Sequence, residues 1–200
     1  NGHLVEGLTR GDGIVGEETS KYLLGKGAHN LKVTFVDRNP KVLENIKAGP
    51  KKCMDLINSG KIIGEYQIIL IRYGLHDLSI EEKEVVLQNL SRMLRKDGII
   101  VVSDIMPQKH LQKELQRSHL EKEILCSGPD QDLYLATSKE YLHLLKRVSI
   151  DNNLCDKFYH ETNIRNWLGT VNIQKDLIGE YEKFLLKEGK FSETFKDTFQ

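Results

Sequence analysis

The sequence predicts an α/β fold in which a doubly wound, mostly parallel sheet is covered by helices. Two observations support this prediction. Over the first 100 residues, short β-rich segments alternate with helical segments, which is typical of parallel strands joined by crossover helices. One β-rich segment, residues 66–72, is almost entirely apolar, as expected for a strand that is buried on both faces.

The predicted elements follow one another with clear boundaries. Strands are predicted over residues 3–7, 31–37, 51–56, 66–72 and 99–104, and helices over residues 16–26, 39–49 and 79–94. Ser79 and Glu82 form a capping box that begins the third helix, and a turn at residues 96–98 leads into strand five. In a doubly wound sheet, strands one and four lie together at the centre, with strand two beyond strand one and strand five beyond strand four.

The second half of the chain is predicted to be mainly helical. Residues 107–124 are helical and highly charged, Thr137 and Glu140 form a second capping box, and residues 164–186 have a largely helical pattern. We interpret residues 1–106 as a ligand-binding core and residues 107–200 as a helical annex of the same domain that covers the substrate side.

The charge balance and the cysteines exclude several classes of protein. The 200 residues carry 29 Lys and Arg against 29 Asp and Glu, so no net charge attracts nucleic acid. No apolar run is long enough to span a membrane, and we find no secretory signal. Cys53, Cys126 and Cys155 are widely separated and form no CxxC pair. We therefore expect a cytoplasmic protein with no metal site, and with neither nucleic acid nor a membrane among its partners.

A glycine-rich segment follows strand one. Gly11, Gly13 and Gly16 satisfy the pattern GxGxxG between a strand and a helix, where a tight turn and a ligand lying against bare backbone both require glycine. The same glycines are also compatible with a simple turn.

Asp37 is the last residue of the second predicted strand. In doubly wound folds, an acidic side chain at this position accepts hydrogen bonds from ribose hydroxyls. The alternative is that Asp37 caps the helix that begins at Asn39 and Pro40. Together with the glycine segment, Asp37 indicates a ligand that contains adenosine, without indicating which one.

The chain from about residue 3 to residue 104 resembles the class I S-adenosylmethionine-dependent methyltransferases that act on small molecules. It shows five of their motifs in order: an acidic residue with a GxG loop, an acidic end of strand two, an acidic residue after strand three, an apolar strand four with its loop, and a Lys-x-Gly turn before strand five. The resemblance implies a Rossmann-like fold and S-adenosylmethionine as the cofactor. It also implies a set of cofactor-binding residues, namely Glu6, Gly11, Gly13, Asp37, Arg38, Asp55, Leu56 and Arg72.

The chain departs from the family's pattern in two places. The first loop is one residue longer than usual and contains Arg10. The chain also begins almost at strand one and lacks a convincing last strand, as expected of a domain from a longer polypeptide or of a protein whose partner supplies the missing parts.

The methyl acceptor is expected to approach the end of strand four. Tyr73 and His76 lie just beyond this strand, and His76 is a candidate general base, unless it only packs the turn. Tyr159, His160 and Trp167 are candidate substrate-binding residues that would face the loop of His76, although Trp167 is also compatible with a place in the core. An in-line methyl transfer also proceeds by orientation alone, without a base.

Three functions remain open at this point. The first is methyl transfer to the O, N or C nucleophile of a small molecule. The second is a methyltransferase-like domain that is inactive and serves as a scaffold or interaction module. The third is an NAD-dependent oxidoreductase, for which we find no persuasive Tyr-x-x-x-Lys pair.

Overall fold

The computed structural model describes residues 4–9, 14–44, 46, 49–58, 66–127, 132–148 and 183–184. Ten helices and strands are formed within these residues. They are β1 (Leu4–Thr9), α1 (Ile14–Gly25), β2 (Lys32–Asp37), α2 (Pro40–Glu44), β3 (Lys51–Cys53), β4 (Tyr66–Arg72), α3 (Ile80–Met93), β5 (Leu94–Ser103), α4 (Gln112–Ser127) and α5 (Ser138–Arg147).

The five strands form one parallel sheet in the order β3-β2-β1-β4-β5. This agrees with the predicted neighbours of strands one, two, four and five. Thr9 lies opposite Arg72, and Asp37 lies opposite Cys53, so the carboxyl ends of β1 to β4 reach one edge of the sheet. The chain changes direction across the sheet between β1 and β4, which is the point where open α/β sheets bind ligands.

The larger apolar cluster joins β4 to α3 and α5. Its buried members from these elements are Tyr66, Ile69, Ile71, Val86, Leu87, Leu90, Met93, Tyr141 and Leu144. Each buried side chain of this size contributes roughly 1.5–3 kcal/mol through removal from water. A smaller cluster of Phe35, Leu43 and Ile46 joins β2 to α2 and the segment that follows it.

Gly16 allows α1 to approach the sheet closely. A Cβ atom at this position would lie 2.7 Å from Cε1 of Phe35, whose side chain is buried. Gly16 therefore serves helix–strand packing, one of the roles of the third glycine in the GxGxxG pattern. Gly11 and Gly13 lie outside the described residues.

Strand β5 differs from the prediction at its beginning. A turn was predicted at residues 96–98, but β5 begins at Leu94. Leu94 lies opposite Tyr66, whereas Ile99 lies opposite Ile68. An advance of five residues along β5 therefore corresponds to an advance of two residues along β4. The extra residues form a bulge that contains the exposed Lys96 and Asp97. A side chain at Gly98 would meet the carbonyl of Gln67 at 2.9 Å, which accounts for the glycine there.

Both predicted capping boxes are confirmed. Ser79 and Glu82 exchange hydrogen bonds at the start of α3, and Thr137 and Glu140 do the same at the start of α5. Helix α4 begins at Gln112, later than the predicted residue 107. The predicted helix over residues 164–186 lies outside the described residues, apart from 183 and 184. None of the helices in the described ranges is long and apolar enough to cross a membrane.

Candidate active site

A cleft opens at the carboxyl ends of β2, β3 and β4. Its wall contains residues from the ends of β2 and β4 and from the loops after β2, β3 and β4, together with Val42 of α2 and Val86 of α3. The lining residues are Val36, Asp37, Arg38, Asn39, Val42, Met54, Asp55, Leu56, Ile57, Ile71, Gly74, Leu75, Asp77, Leu78 and Val86. Four of the predicted cofactor-binding residues, Asp37, Arg38, Asp55 and Leu56, thus lie together on one wall.

Asp37 shapes the start of α2 as well as the cleft. Its Oδ1 accepts a hydrogen bond from the backbone N–H of Asn39 at 2.7 Å, and Oδ1 of Asn39 accepts one from the N–H of Lys41 at 3.0 Å. The capping role considered for Asp37 is therefore observed. No donor among the described residues hydrogen bonds to Oδ2 of Asp37.

The loop after β3 is held by Asp55 and by a residue of α3. The carboxylate of Asp55 accepts hydrogen bonds from the N–H of Ile57 at 3.0 Å and from Nδ2 of Asn58 at 2.6 Å. Nδ2 of Asn89 donates to the carbonyl oxygens of Leu56 at 2.6 Å and Ile57 at 3.2 Å. Asn89 is buried, and sequence reasoning missed it, although a polar residue within the apolar stripe of α3 was a signal for such a role.

Glu6, Arg72 and Tyr73 lie near the switch point but not on the described wall of the cleft. Glu6 lies inside β1, opposite Thr34 and Ile69. The guanidinium of Arg72 stacks on the ring of Tyr73 at 4.8 Å. Tyr73 has a φ of 50°, a left-handed conformation that non-glycine residues rarely adopt, and its N–H donates to the carbonyl of Ser103. The loop after β4 thus begins with a sharp, constrained turn.

His76 lies buried behind the cleft between two carboxylates. Its Nδ1 is 2.9 Å from Oδ1 of Asp104, and its Nε2 is 3.1 Å from Oδ1 of Asp77. The ring also packs edge-on against Tyr73, with 6.1 Å between the centroids. Tyr73 and His76, both predicted to lie just beyond strand four, are therefore in contact.

Asp104, the residue that follows β5, fixes the orientation of His76. Its side chain is fully buried and accepts hydrogen bonds from the N–H groups of Leu75 and Ile105 and from the hydroxyl of Tyr141. Burial, followed by the charge of Asp104, raises the pKa of Tyr141, so this hydroxyl remains a donor. Sequence reasoning placed Asp104 only at the end of strand five and did not assign it a partner.

His119, in α4, lies close to both His76 and Asp77. Its ring lies 5.0 Å from the ring of His76, and its Nε2 is 3.4 Å from Oδ1 of Asp77. Burial, with smaller effects from Lys122 and His76, lowers the pKa of His119 to about 2, which keeps the imidazole neutral. The sequence contained no local sign of this contact, because His119 lies in a highly charged helix.

Lys83, in α3, stabilises the loop after β4. Its buried ammonium donates to the carbonyl of Leu78, which lines the cleft. Burial lowers the pKa of Lys83 to about 8, against the opposing effect of the Asp104 charge. The predicted residues Tyr159, His160 and Trp167 lie outside the described residues.

Solved structures share this fold at low sequence identity. The YcgJ protein from Bacillus subtilis superposes with a TM-score of 0.74 and 15% identity, over 98% of this chain and 81% of that chain. A putative methyltransferase from Bacillus halodurans superposes with a TM-score of 0.73 and 14% identity, over 98% and 82%. PigF with SAH superposes with a TM-score of 0.52 and 12% identity, over 75% and 50%. No family model and no curated sequence matches the chain. The chain therefore has the α/β fold of the class I methyltransferases.

Proposed function

We propose that this protein binds S-adenosylmethionine in the cleft and transfers its methyl group to an O, N or C nucleophile of a small molecule. The observation that carries the proposal is the position of the cleft. It lies at the carboxyl ends of β2, β3 and β4 in a sheet of order β3-β2-β1-β4-β5, with Asp37 and Asp55 on one wall. PigF, which shares the fold, is described with SAH, the product form of this cofactor.

The cofactor would lie with its nucleoside against the wall formed by β2 and β3. Oδ2 of Asp37 is suited to accept hydrogen bonds from ribose hydroxyls, while Oδ1 keeps its bond to Asn39. The apolar side chains of Met54, Leu56 and Ile57 offer a surface for a flat base. The methyl group would then project toward the loop after β4.

The transfer itself needs little chemistry from the protein. When bound, S-adenosylmethionine would supply an activated methyl group, and the protein would hold the acceptor atom in line with it, so that orientation would supply much of the rate enhancement. A site covered on the acceptor side by Tyr159, His160 and Trp167, as the sequence predicts, would favour a compact acceptor over a polymer. We propose a cytoplasmic location, which the free thiol of Cys53 supports.

Calorimetric titration with S-adenosylmethionine, SAH and NAD tests the proposal. We expect binding of both sulfur compounds and weaker or no binding of NAD. Asp37→Ala should weaken SAH binding by about 1.5–3 kcal/mol, the usual worth of hydrogen bonds to a charged group. Asp37→Asn serves as the matched variant, because it retains an acceptor for Asn39 but loses the carboxylate. Binding of NAD alone, or unchanged SAH affinity in Asp37→Ala, would refute the proposal.

A second experiment separates the enzyme from an inactive scaffold. The protein is incubated with methyl-labelled S-adenosylmethionine and the small-molecule fraction of a cell extract, and the label is followed by chromatography. We expect label in one or a few compact products. Tight SAH binding without any transfer of label would favour the scaffold function.

A further inference from the structure

Three side chains with metal-binding atoms converge beside the cleft. His76 and Asp77 come from the loop after β4, and His119 comes from α4. Each offers one ligand atom, and these atoms all lie within 4.8 Å of one another. Oδ1 of Asp77 is 3.1 Å from Nε2 of His76 and 3.4 Å from Nε2 of His119.

The hydrogen bonds around His76 indicate which of its two ring nitrogens could bind a metal. Asp104 accepts bonds at both carboxylate oxygens, so Nδ1 of His76 is the donor in the contact between the two side chains. The other ring nitrogen of His76, Nε2, then lies 3.1 Å from a carboxylate oxygen of Asp77, which is an acceptor. A proton or a cation between these two atoms would satisfy both.

We propose that His76, Asp77 and His119 bind a divalent transition-metal ion such as Zn²⁺. In tetrahedral zinc sites with ligand distances near 2.0–2.2 Å, neighbouring ligand atoms are about 3.4 Å apart. The distances from Asp77 to the two histidines are close to this spacing. Imidazole nitrogens favour zinc, iron, nickel or copper over Mg²⁺ and Ca²⁺, which prefer oxygen ligands.

Asp104 supplies the outer support that such sites require. A histidine ligand commonly donates its second ring N–H to a carboxylate, which fixes the ring orientation and the tautomer. Here that carboxylate is already held by Leu75, Ile105 and Tyr141.

The site is also accessible from the cleft. Asp77 lines the cleft and its side chain is 19% exposed, whereas the two histidines are buried. Three protein ligands and one position open to the cleft match the pattern of catalytic rather than structural zinc sites. The open position would take an oxygen or nitrogen donor. The inference does not depend on methyl transfer, since neither histidine lines the cleft and Asp77 is not among the residues proposed to hold the cofactor.

Calorimetric titration of the metal-free protein with Zn²⁺, and absorption spectroscopy with Co²⁺ as the probe, test the proposal. We expect one ion per chain, visible-band absorption of bound Co²⁺, and no comparable binding of Mg²⁺. Asp77→Asn and His119→Gln should each lower the Zn²⁺ affinity more than about tenfold. The control is His110→Gln, which removes an exposed histidine and should leave the affinity unchanged.

The fold of each variant is checked by its circular dichroism spectrum without metal. Asp77→Asn is nearly isosteric and partly exposed, so it carries the test if His119→Gln does not fold. Parent-like Zn²⁺ affinity in Asp77→Asn would overturn the proposal, and so would a loss of binding in His110→Gln. Nitrogen NMR could also show that both ring nitrogens of His76 carry protons and that Zn²⁺ does not change this. A proton rather than a metal would then lie between Nε2 of His76 and Oδ1 of Asp77, and the proposal would be overturned.

Discussion

The two sides of the cleft are held in different ways. On the side of β2 and β3, the carboxylates of Asp37 and Asp55 bind groups only two or three residues away in the chain. On the side of β4 and β5, the carboxylate of Asp104 binds His76 from 28 residues away and Tyr141 from 37. Asp55 is exposed, whereas the side chain of Asp104 is fully buried.

This difference predicts how each side responds to mutation. A hydrogen bond in an exposed turn is exchanged with water at little cost, whereas a buried donor that loses its partner pays the full cost of its desolvation. Changes to the carboxylates of Asp37 and Asp55 on the β2 and β3 side should therefore affect ligand binding more than folding. Changes on the β4 and β5 side should affect both.

The largest expected effect is that of Asp104→Ala. This change leaves Leu75, Ile105, Tyr141 and His76 without their acceptor, and breaking a buried charged contact typically costs about 3–5 kcal/mol of the free energy of unfolding. Urea unfolding measures the loss. Asp97→Ala, on the exposed bulge of the same strand, should change the stability by less than about 0.5 kcal/mol. Equal losses in the two variants would contradict the stabilising role of the buried hydrogen bonds of Asp104.

Asn89→Ala tests the long-range contact found on the side of β2 and β3. Two carbonyl oxygens of the loop after β3 lose their donor, so we expect a loss of about 2–3 kcal/mol in the free energy of unfolding. The loop would also be less well ordered, which should weaken SAH binding. Gln88→Ala, at the exposed neighbouring position, is the control in both measurements. Parent-like stability in Asn89→Ala would show that the loop is held by Asp55 alone.

Gly16→Ala tests helix packing next to the glycine-rich segment. The added methyl group meets the buried ring of Phe35, and we expect a loss of about 1–2 kcal/mol by overpacking. Gly25→Ala lies at the end of the same helix with no atom within 4 Å of the new Cβ. This control should be neutral or stabilising by up to about 1 kcal/mol. Thermal unfolding of the two variants compares them, and equal shifts would contradict the close approach of α1.

The smallest effect concerns acid stability through Glu140. Partial burial raises the pKa of Glu140, but hydrogen bonds from Thr137, Lys109 and Tyr134 outweigh it and lower the pKa to about 2 from an unfolded value near 4.5. Because the folded pKa is depressed, its stabilisation is complete above pH 4.5 and is lost as the pH falls toward 2. Glu140→Gln should flatten the decrease of stability with acid over this range. The exposed Glu81→Gln should follow the parent, and a Glu140→Gln curve parallel to the parent would contradict the assignment.

The sequence predicted what depends on neighbours in the chain. The apolar segment of β4 and both capping boxes are local patterns, and all three are confirmed. Asp37 was predicted for both a capping and a ligand-binding role, and the capping role is observed because it involves a residue only two positions away. The bulge of β5 was not predicted, since the register with β4 is a property of two strands together.

The network around His76 could be predicted only in part. The predicted pairing of strands four and five already brings residues 76 and 104 to the same edge of the sheet, so their contact could have been inferred. The approach of His119 could not, because it depends on how α4 packs after the sheet is complete. The convergence of His76, Asp77 and His119 is therefore a product of tertiary structure.

The long-range bonds of Asp104 also have a consequence for the order of folding. Turns that bind residues two or three positions away close early, whereas contacts across 28 and 37 residues must wait until the intervening strand and helix are in place. The β4 and β5 side should thus be the last part of the cleft to consolidate. Hydrogen exchange during refolding would show this as later protection of the amide of Leu75, which donates to Asp104, than of the amide of Ile57, and simultaneous protection would contradict it.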